Sequence, residues 1–182
     1  MPNAKMRERS LGETYNKSYI AIPIVESPLF KWVQSINGNK AFYHITVLFL
    51  GNIDDNKLSE VREVMSSIPK HEGHLPIIPE KLTFSGNGYD AFVLRIKKTD
   101  ELAEIRDILE KSLPESTCES HSFQPHITIK RAKRGQFDKF DRNMLLNIPD
   151  KSNTLDPFEA TAIGLYYRTE EGATALLYSK TL

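Results

Sequence analysis

Cysteine is nearly absent: Cys118 is the only one in 182 residues. No internal disulfide can form, and no Cys/His cluster has the spacing of a structural zinc site, so a reducing, cytoplasmic setting is expected. The chain also lacks any apolar run approaching the ~18 uninterrupted residues of a membrane helix. Met1 to Ser18 is polar and charged, without the apolar centre of a signal peptide. The protein is therefore read as soluble, with residues 1–18 as a flexible leader and 19–182 as one domain. Net charge is missing too, since 24 Lys+Arg balance 24 Asp+Glu. That balance excludes a broad basic face for duplex DNA and leaves room for a small anionic ligand in a local pocket.

What is present is a doubled order of elements. Tyr19 to Ile24 reads as a buried strand, and Ser27-Pro28 opens a helix with Leu29, Trp32, Val33 and Ile36 at helical spacing, stopped by Gly38. Phe42 to Leu50 is a strand, after which Asp54 or Asp55 caps a helix using Leu58, Val61, Met65 and Ile68, ended by Pro69. Ile77 to Ser85 and Ala91 to Ile96 flank the Gly86-Asn87-Gly88 turn. The order then repeats: a Thr99-capped helix, strand His126 to Arg131, a weaker helix Gly135 to Ile148, and a closing hairpin of Phe158 to Tyr167 with Thr174 to Thr181. Two copies of strand, helix, strand, helix, hairpin predict two lobes facing each other.

The same triplet occupies the same slot of each copy: His44-Ile45-Thr46 and His126-Ile127-Thr128. Side chains alternate along a strand, so each copy offers an imidazole and a hydroxyl on one face and apolar residues on the other. A lone strand histidine is usually a core or edge residue bonded to a carbonyl. A matched pair is different, because one neutral and one protonated imidazole can together deprotonate a nucleophile and protonate a leaving group. The two threonines suit the non-bridging oxygens of a phosphodiester. Neither role requires a metal, and the two strands bring no carboxylate with them. Such paired roles predict a rate that is bell-shaped in pH around neutrality.

The motifs His44-Ile-Thr46-Val-Leu-Phe-Leu-Gly51 and Phe123-Gln-Pro-His126-Ile-Thr128-Ile-Lys-Arg131 resemble those of the 2H phosphoesterase superfamily, specifically its LigT-like group of RNA 2′,3′-cyclic phosphodiesterases, also called 2′-5′ RNA ligases. The resemblance runs from about Ser18 onward. It implies an α+β fold of two pseudo-symmetric antiparallel-sheet lobes with outer helices and a central groove. It also implies an enzyme that opens 2′,3′-cyclic phosphate ends of RNA or oligonucleotides to 2′-phosphates, with His44, Thr46, His126 and Thr128 as the catalytic set; a monomer without a cofactor is expected. Cleavage of 2′-5′ linkages or of cyclic oligonucleotide signals would use the same four residues. A silent nucleotide- or RNA-binding module would not need both an acid and a base.

Four further residues are candidates for substrate binding. Arg131 matches an arginine that often ends the second motif of the family, although strict alternation puts it on the face opposite His126 unless a bulge intervenes. Among Tyr166, Tyr167 and Arg168, Tyr167 is taken as a base-stacking ring and Arg168 as a phosphate ligand. Phe84, just before the Gly86-Asn87-Gly88 turn, is a candidate wall of a base pocket.

Overall fold

A side-chain cap starts each of three helices. Ser27 Oγ accepts the Phe30 N–H at 3.0 Å and opens α1, Pro28–Asn37, which buries Leu29 and Val33. Asp54 Oδ1 accepts the Lys57 N–H at 2.8 Å and opens α2, Asp55–Ser67, which buries Leu58, Val61 and Met65. Pro69 cannot continue that helix, and its cap is Ile68. Thr99 Oγ1 accepts the Leu102 N–H at 3.3 Å and opens α3, Asp100–Ser112, with Leu102, Ile105 and Leu109 inside. Among the described residues no helix is long and apolar enough to cross a membrane.

The computed structural model describes residues 14–25, 27–37, 42–70, 75–86, 89–114, 123–133, 142–143, 145, 147–148 and 154–182. The expected stop at Gly38, the centre of the Gly86-Asn87-Gly88 turn, most of the helix expected over Gly135 to Ile148, and residues 1–13 of the leader lie outside that set.

The strands are β1 (Tyr15–Pro23), β2 (His44–Ile53), β3 (Leu75–Ile77), β4 (Pro79–Gly86), β5 (Tyr89–Ile96), β6 (His126–Lys133), β7 (Phe158–Ala160), β8 (Ala162–Arg168) and β9 (Thr174–Thr181). Seven of them form one antiparallel sheet in the order β4-β5-β6-β2-β1-β8-β9, and β3 pairs with β7 apart from it. Two boundaries correct the sequence reading. β1 begins at Tyr15, so the last residues of the expected leader belong to the sheet: Tyr15 and Ser18 are buried, and the Ser18 hydroxyl donates to the Tyr15 carbonyl at 3.0 Å. The strand expected over Ile77 to Ser85 breaks at Ile78, because Ile77 pairs with Phe158 whereas Pro79 pairs with Ile96. The closing strand likewise divides into β7 and β8 as the chain changes sheets.

The sheet order reads nearly the same from either end. Each half centres on a strand-helix-strand unit, β1-α1-β2 and β5-α3-β6, whose two strands are antiparallel neighbours. β4 flanks the second unit by pairing with β5, and β8, with β9 beyond it, flanks the first by pairing with β1. The halves join at β2 and β6, through Ile45 opposite Ile127. Ile20, Ile22, Ile45, Val47, Ile127 and Ile129 pack with the buried residues of all three helices in one core. The other face of the same strands is left for the site.

Candidate active site

Ile45 and Ile127 are both fully buried, and their pairing sets the register of the two motifs. Counting one residue either way along antiparallel strands puts His44 opposite Thr128 and Thr46 opposite His126. Each imidazole therefore faces the hydroxyl of the other motif. The two histidines occupy diagonal positions, which in such a ladder lie about 7–8 Å apart. That leaves space for a phosphate between them. All four side chains line a single groove of about 1110 Å³.

A bulge follows each threonine. Ile20 pairs with Leu48 and Ala21 with Thr46, which leaves Val47 extra on β2. Phe92 pairs with Lys130 and Val93 with Thr128, which leaves Ile129 extra on β6. Each added residue reverses the alternation beyond it, so Phe49 and Arg131 return to the groove face, and both line the groove. Val47 and Ile129 stay buried at 0% and 3% exposure. The carbonyl of the bulged Val47 accepts a hydrogen bond from Arg106 of α3, whose guanidinium also pairs with Glu110. A helix packed in the second half thus braces the catalytic strand of the first.

The histidines are held alike. His44 Nδ1 lies 3.2 Å from the Phe42 carbonyl, and His126 Nδ1 lies 3.0 Å from the Gln124 carbonyl. A carbonyl only accepts, so Nδ1 carries the proton in each ring, and Nε2 of the neutral ring is the basic nitrogen. The surroundings differ. His44 stacks on Tyr19 (5.0 Å, 29°) and on Phe42 (5.1 Å, 23°), and Tyr166 completes the cluster, stacked on Tyr19 at 5.8 Å and tilted on Phe42 at 4.8 Å. His126 stands opposite Arg95 in the β5–β6 ladder. Burial is the main force lowering the pKa of both. It brings His44 to about 4, with Arg168, His126 and Arg131 adding to the effect against the opposing Phe42 carbonyl. It also lowers His126, where Arg95 and Arg131 add to it and the Gln124 carbonyl opposes it. Both shifts favour the neutral ring at pH 7.

Tyr166 takes its place because Gly164 leaves space. A Cβ at Gly164 would come within 2.6 Å of the Tyr166 ring. Burial, then Tyr19, pushes the Tyr166 hydroxyl up to about 12.

Six of the eight residues singled out from the sequence line the groove: His44, Thr46, His126, Thr128, Arg131 and Arg168. Two do not. Tyr167 is buried at 8% exposure, edge-on to Tyr15 at 5.4 Å, and belongs to the core. Tyr166, which alternates with Tyr167 and shares the face of Arg168, is also buried, but it backs the groove through Tyr19 and Phe42, which line it. Phe84 packs on Phe92 at 5.2 Å, away from the residues that line the groove. Sequence reasoning missed Tyr19, Phe42, Phe49, Lys17 and Asn52, all of which line it. Lys17, Arg131 and Arg168 against Glu170 make the lining locally cationic in a chain of zero net charge. Among the described residues no three of His, Cys, Asp and Glu converge as a metal-binding group.

The geometry agrees with comparisons to known proteins. An RNA 2′,3′-cyclic phosphodiesterase of Archaeoglobus fulgidus is 26% identical over 136 residues, covering 64% of this chain and 72% of that protein. Among solved structures, TT0787 of Thermus thermophilus aligns with a TM-score of 0.65 at 13% identity, covering 91% of this chain and 97% of that one. E. coli LigT in its apo form aligns at 0.61 and 16% identity, covering 93% and 98%. Usb1 of Kluyveromyces marxianus aligns at 0.58 and 10% identity, covering 90% and 98%. At these identities the structures establish a shared fold. The sequence model of the 2′-5′ RNA ligase superfamily matches residues 35–171, a span that holds both motifs. Matched over that span, and with the fold of LigT, the chain belongs to the 2′-5′ RNA ligase superfamily.

Proposed function

We propose that the protein hydrolyses 2′,3′-cyclic phosphate ends of RNA or oligonucleotides to 2′-phosphates, without a metal, by acid-base catalysis between His44 and His126. The observation that carries this reading is the crossed arrangement of the motifs, each imidazole opposite the other motif's threonine with both Nδ1 atoms engaged by carbonyls. Phosphorus sits between the two Nε2 atoms. Thr46 and Thr128 donate to its two non-bridging oxygens, and Arg131 offsets the charge that grows there. One imidazole takes a proton from water as the water oxygen bonds to phosphorus. The other, protonated, gives its proton to O3′ as the P–O3′ bond breaks, leaving the phosphate on O2′. The anionic phosphodiester favours the imidazolium that this step needs, because it opposes the burial and the arginines that lower both histidine pKa values.

Two relatives support the substrate class. The A. fulgidus relative bears the name of this activity, and E. coli LigT has been crystallised with 3′-AMP and with phosphate. The test is incubation of the purified protein with adenosine 2′,3′-cyclic phosphate in EDTA, with the product identified by phosphorus NMR. Adenosine 2′-phosphate is expected. No turnover, loss of turnover to the chelator, or a 3′-phosphate product contradicts the proposal. Parallel reactions with 2′-5′ oligoadenylate and a cyclic dinucleotide define its range.

A further inference from the structure

The chemistry proposed above accounts for one phosphate, held at Thr46, Thr128 and Arg131. The groove continues beyond it, along β1 toward the β8–β9 turn, where Lys17, Asn52, Arg168, Thr169 and Glu170 line it. Two cations are built into this end. Lys17 holds a backbone φ of 50°, a left-handed conformation that side-chain-bearing residues avoid. There Asn16 and Lys17 together face the single residue Asn52, whose Oδ1 accepts the Lys17 N–H at 3.0 Å. Asn52 thus fixes the bulge that brings Lys17 to the groove. The β1–β8 ladder ends with Tyr19 opposite Tyr166, and Lys17 and Arg168 lie two residues past that pair on their strands, both on the groove lining. Arg168 Nη1 donates to the Gly172 carbonyl at 2.7 Å, which engages one of the guanidinium's five N–H donors and ties it to the turn.

Resting on the proposed function, we infer that Lys17 and Arg168 form a second phosphate subsite, which binds the phosphate next to the cyclic end. A lysine and a tethered arginine at one end of a groove suit a phosphate, because both donate charge-assisted hydrogen bonds and the arginine is already held by the Gly172 carbonyl. The subsite makes the enzyme favour an end that carries a neighbouring phosphate over a bare cyclic mononucleotide. Glu170, on the same lining, weakens the subsite and limits its affinity.

The test compares kcat/KM for adenosine 2′,3′-cyclic phosphate, for its 5′-phosphorylated form, and for the dinucleotide ApA ending in a 2′,3′-cyclic phosphate. A gain of about tenfold is expected from the added phosphate. A gain confined to the dinucleotide identifies an internal phosphodiester as the ligand, and an equal gain for the 5′-phosphorylated form identifies any adjacent phosphate. Lys17→Ala and Arg168→Ala should each bring the ratio toward one and lower the salt dependence of the dinucleotide reaction by about 0.7 in log-log slope. Glu170→Gln should raise the ratio. Equal kcat/KM for all three substrates overturns the inference. Absence of any turnover would instead contradict the proposed function. In that case calorimetric titration of adenosine 2′-phosphate against the 2′-phosphorylated dinucleotide still decides the subsite, because equal affinities, or a preference unchanged in Arg168→Ala, overturn it.

Discussion

Ile45 stands opposite Ile127 where the two halves of the sheet meet, with no water-accessible surface on either side chain. This pair is the pivot of the site, since it sets each histidine against the other motif's threonine. Ile45→Ala or Ile127→Ala should lower stability by about 2–5 kcal/mol, and Ile→Val at either position by about 0.5–1.5 kcal/mol. The valine variants stay folded and serve as the probe: denaturant unfolding gives the stability loss, and kcat should fall with it because the motifs' spacing depends on this contact. A valine variant that loses the expected stability with kcat unchanged would show that the pair holds the halves together without setting the site.

The pH dependence of the rate should sit on the acid side of neutrality. Burial lowers both free-enzyme histidine pKa values below 6.5, His44 to about 4. Both limbs of kcat/KM, which reports the free enzyme, are therefore expected below pH 6.5. The limbs of kcat, which reports the bound complex, should lie higher because the phosphodiester favours imidazolium. Sequence reasoning placed the bell around neutrality, where unperturbed imidazoles titrate. Arg131→Ala should raise both histidine pKa values in an NMR titration, since that cation lowers each of them.

The same lowered value makes the fold sensitive to acid. An imidazole that titrates near 4 when folded and near 6.5 when unfolded leaves the unfolded chain binding more protons between those values. The stability associated with neutral His44 is complete above pH 6.5 and is lost as pH falls toward 4. His44→Gln removes this group, so its melting temperature should fall less than that of the wild type between pH 6.5 and 4.5. Parallel curves for the two proteins would contradict the assignment.

Gly164→Ala should disturb the site without touching it. The added methyl would press on the Tyr166 ring, which stacks on Tyr19, and Tyr19 stacks on His44. The ring can shift because it is the far end of a side chain, so a small stability loss is expected. The effect should appear in the His44 NMR resonances and in kcat. Unaltered His44 shifts would show that the aromatic wall does not position the imidazole.

Much of the fold was legible because its signals are local. Thr99 and Asp54 cap their helices through side-chain oxygens three residues ahead of the donors, and the apolar spacing of Leu102, Ile105 and Leu109 marks the buried face. The His-x-Thr face followed from strand alternation. What was not legible depended on register. The bulges at Val47 and Ile129 turn Phe49 and Arg131 into the groove, and one extra residue in a ladder leaves no mark in composition. Tyr167 was chosen over Tyr166, although sharing a face with Arg168 already pointed to Tyr166. Lys17 lay in a polar stretch read as leader, and its role emerges only from the pairing with Asn52.

Two-histidine catalysis is tested most directly by kcat on adenosine 2′,3′-cyclic phosphate, in EDTA, for the wild type, His44→Ala and His126→Ala, each checked for native folding by circular dichroism. Each substitution should lower kcat by about 10²–10⁴-fold with the fold intact. A folded single variant that keeps wild-type kcat, or wild-type activity that disappears with the chelator, would contradict it.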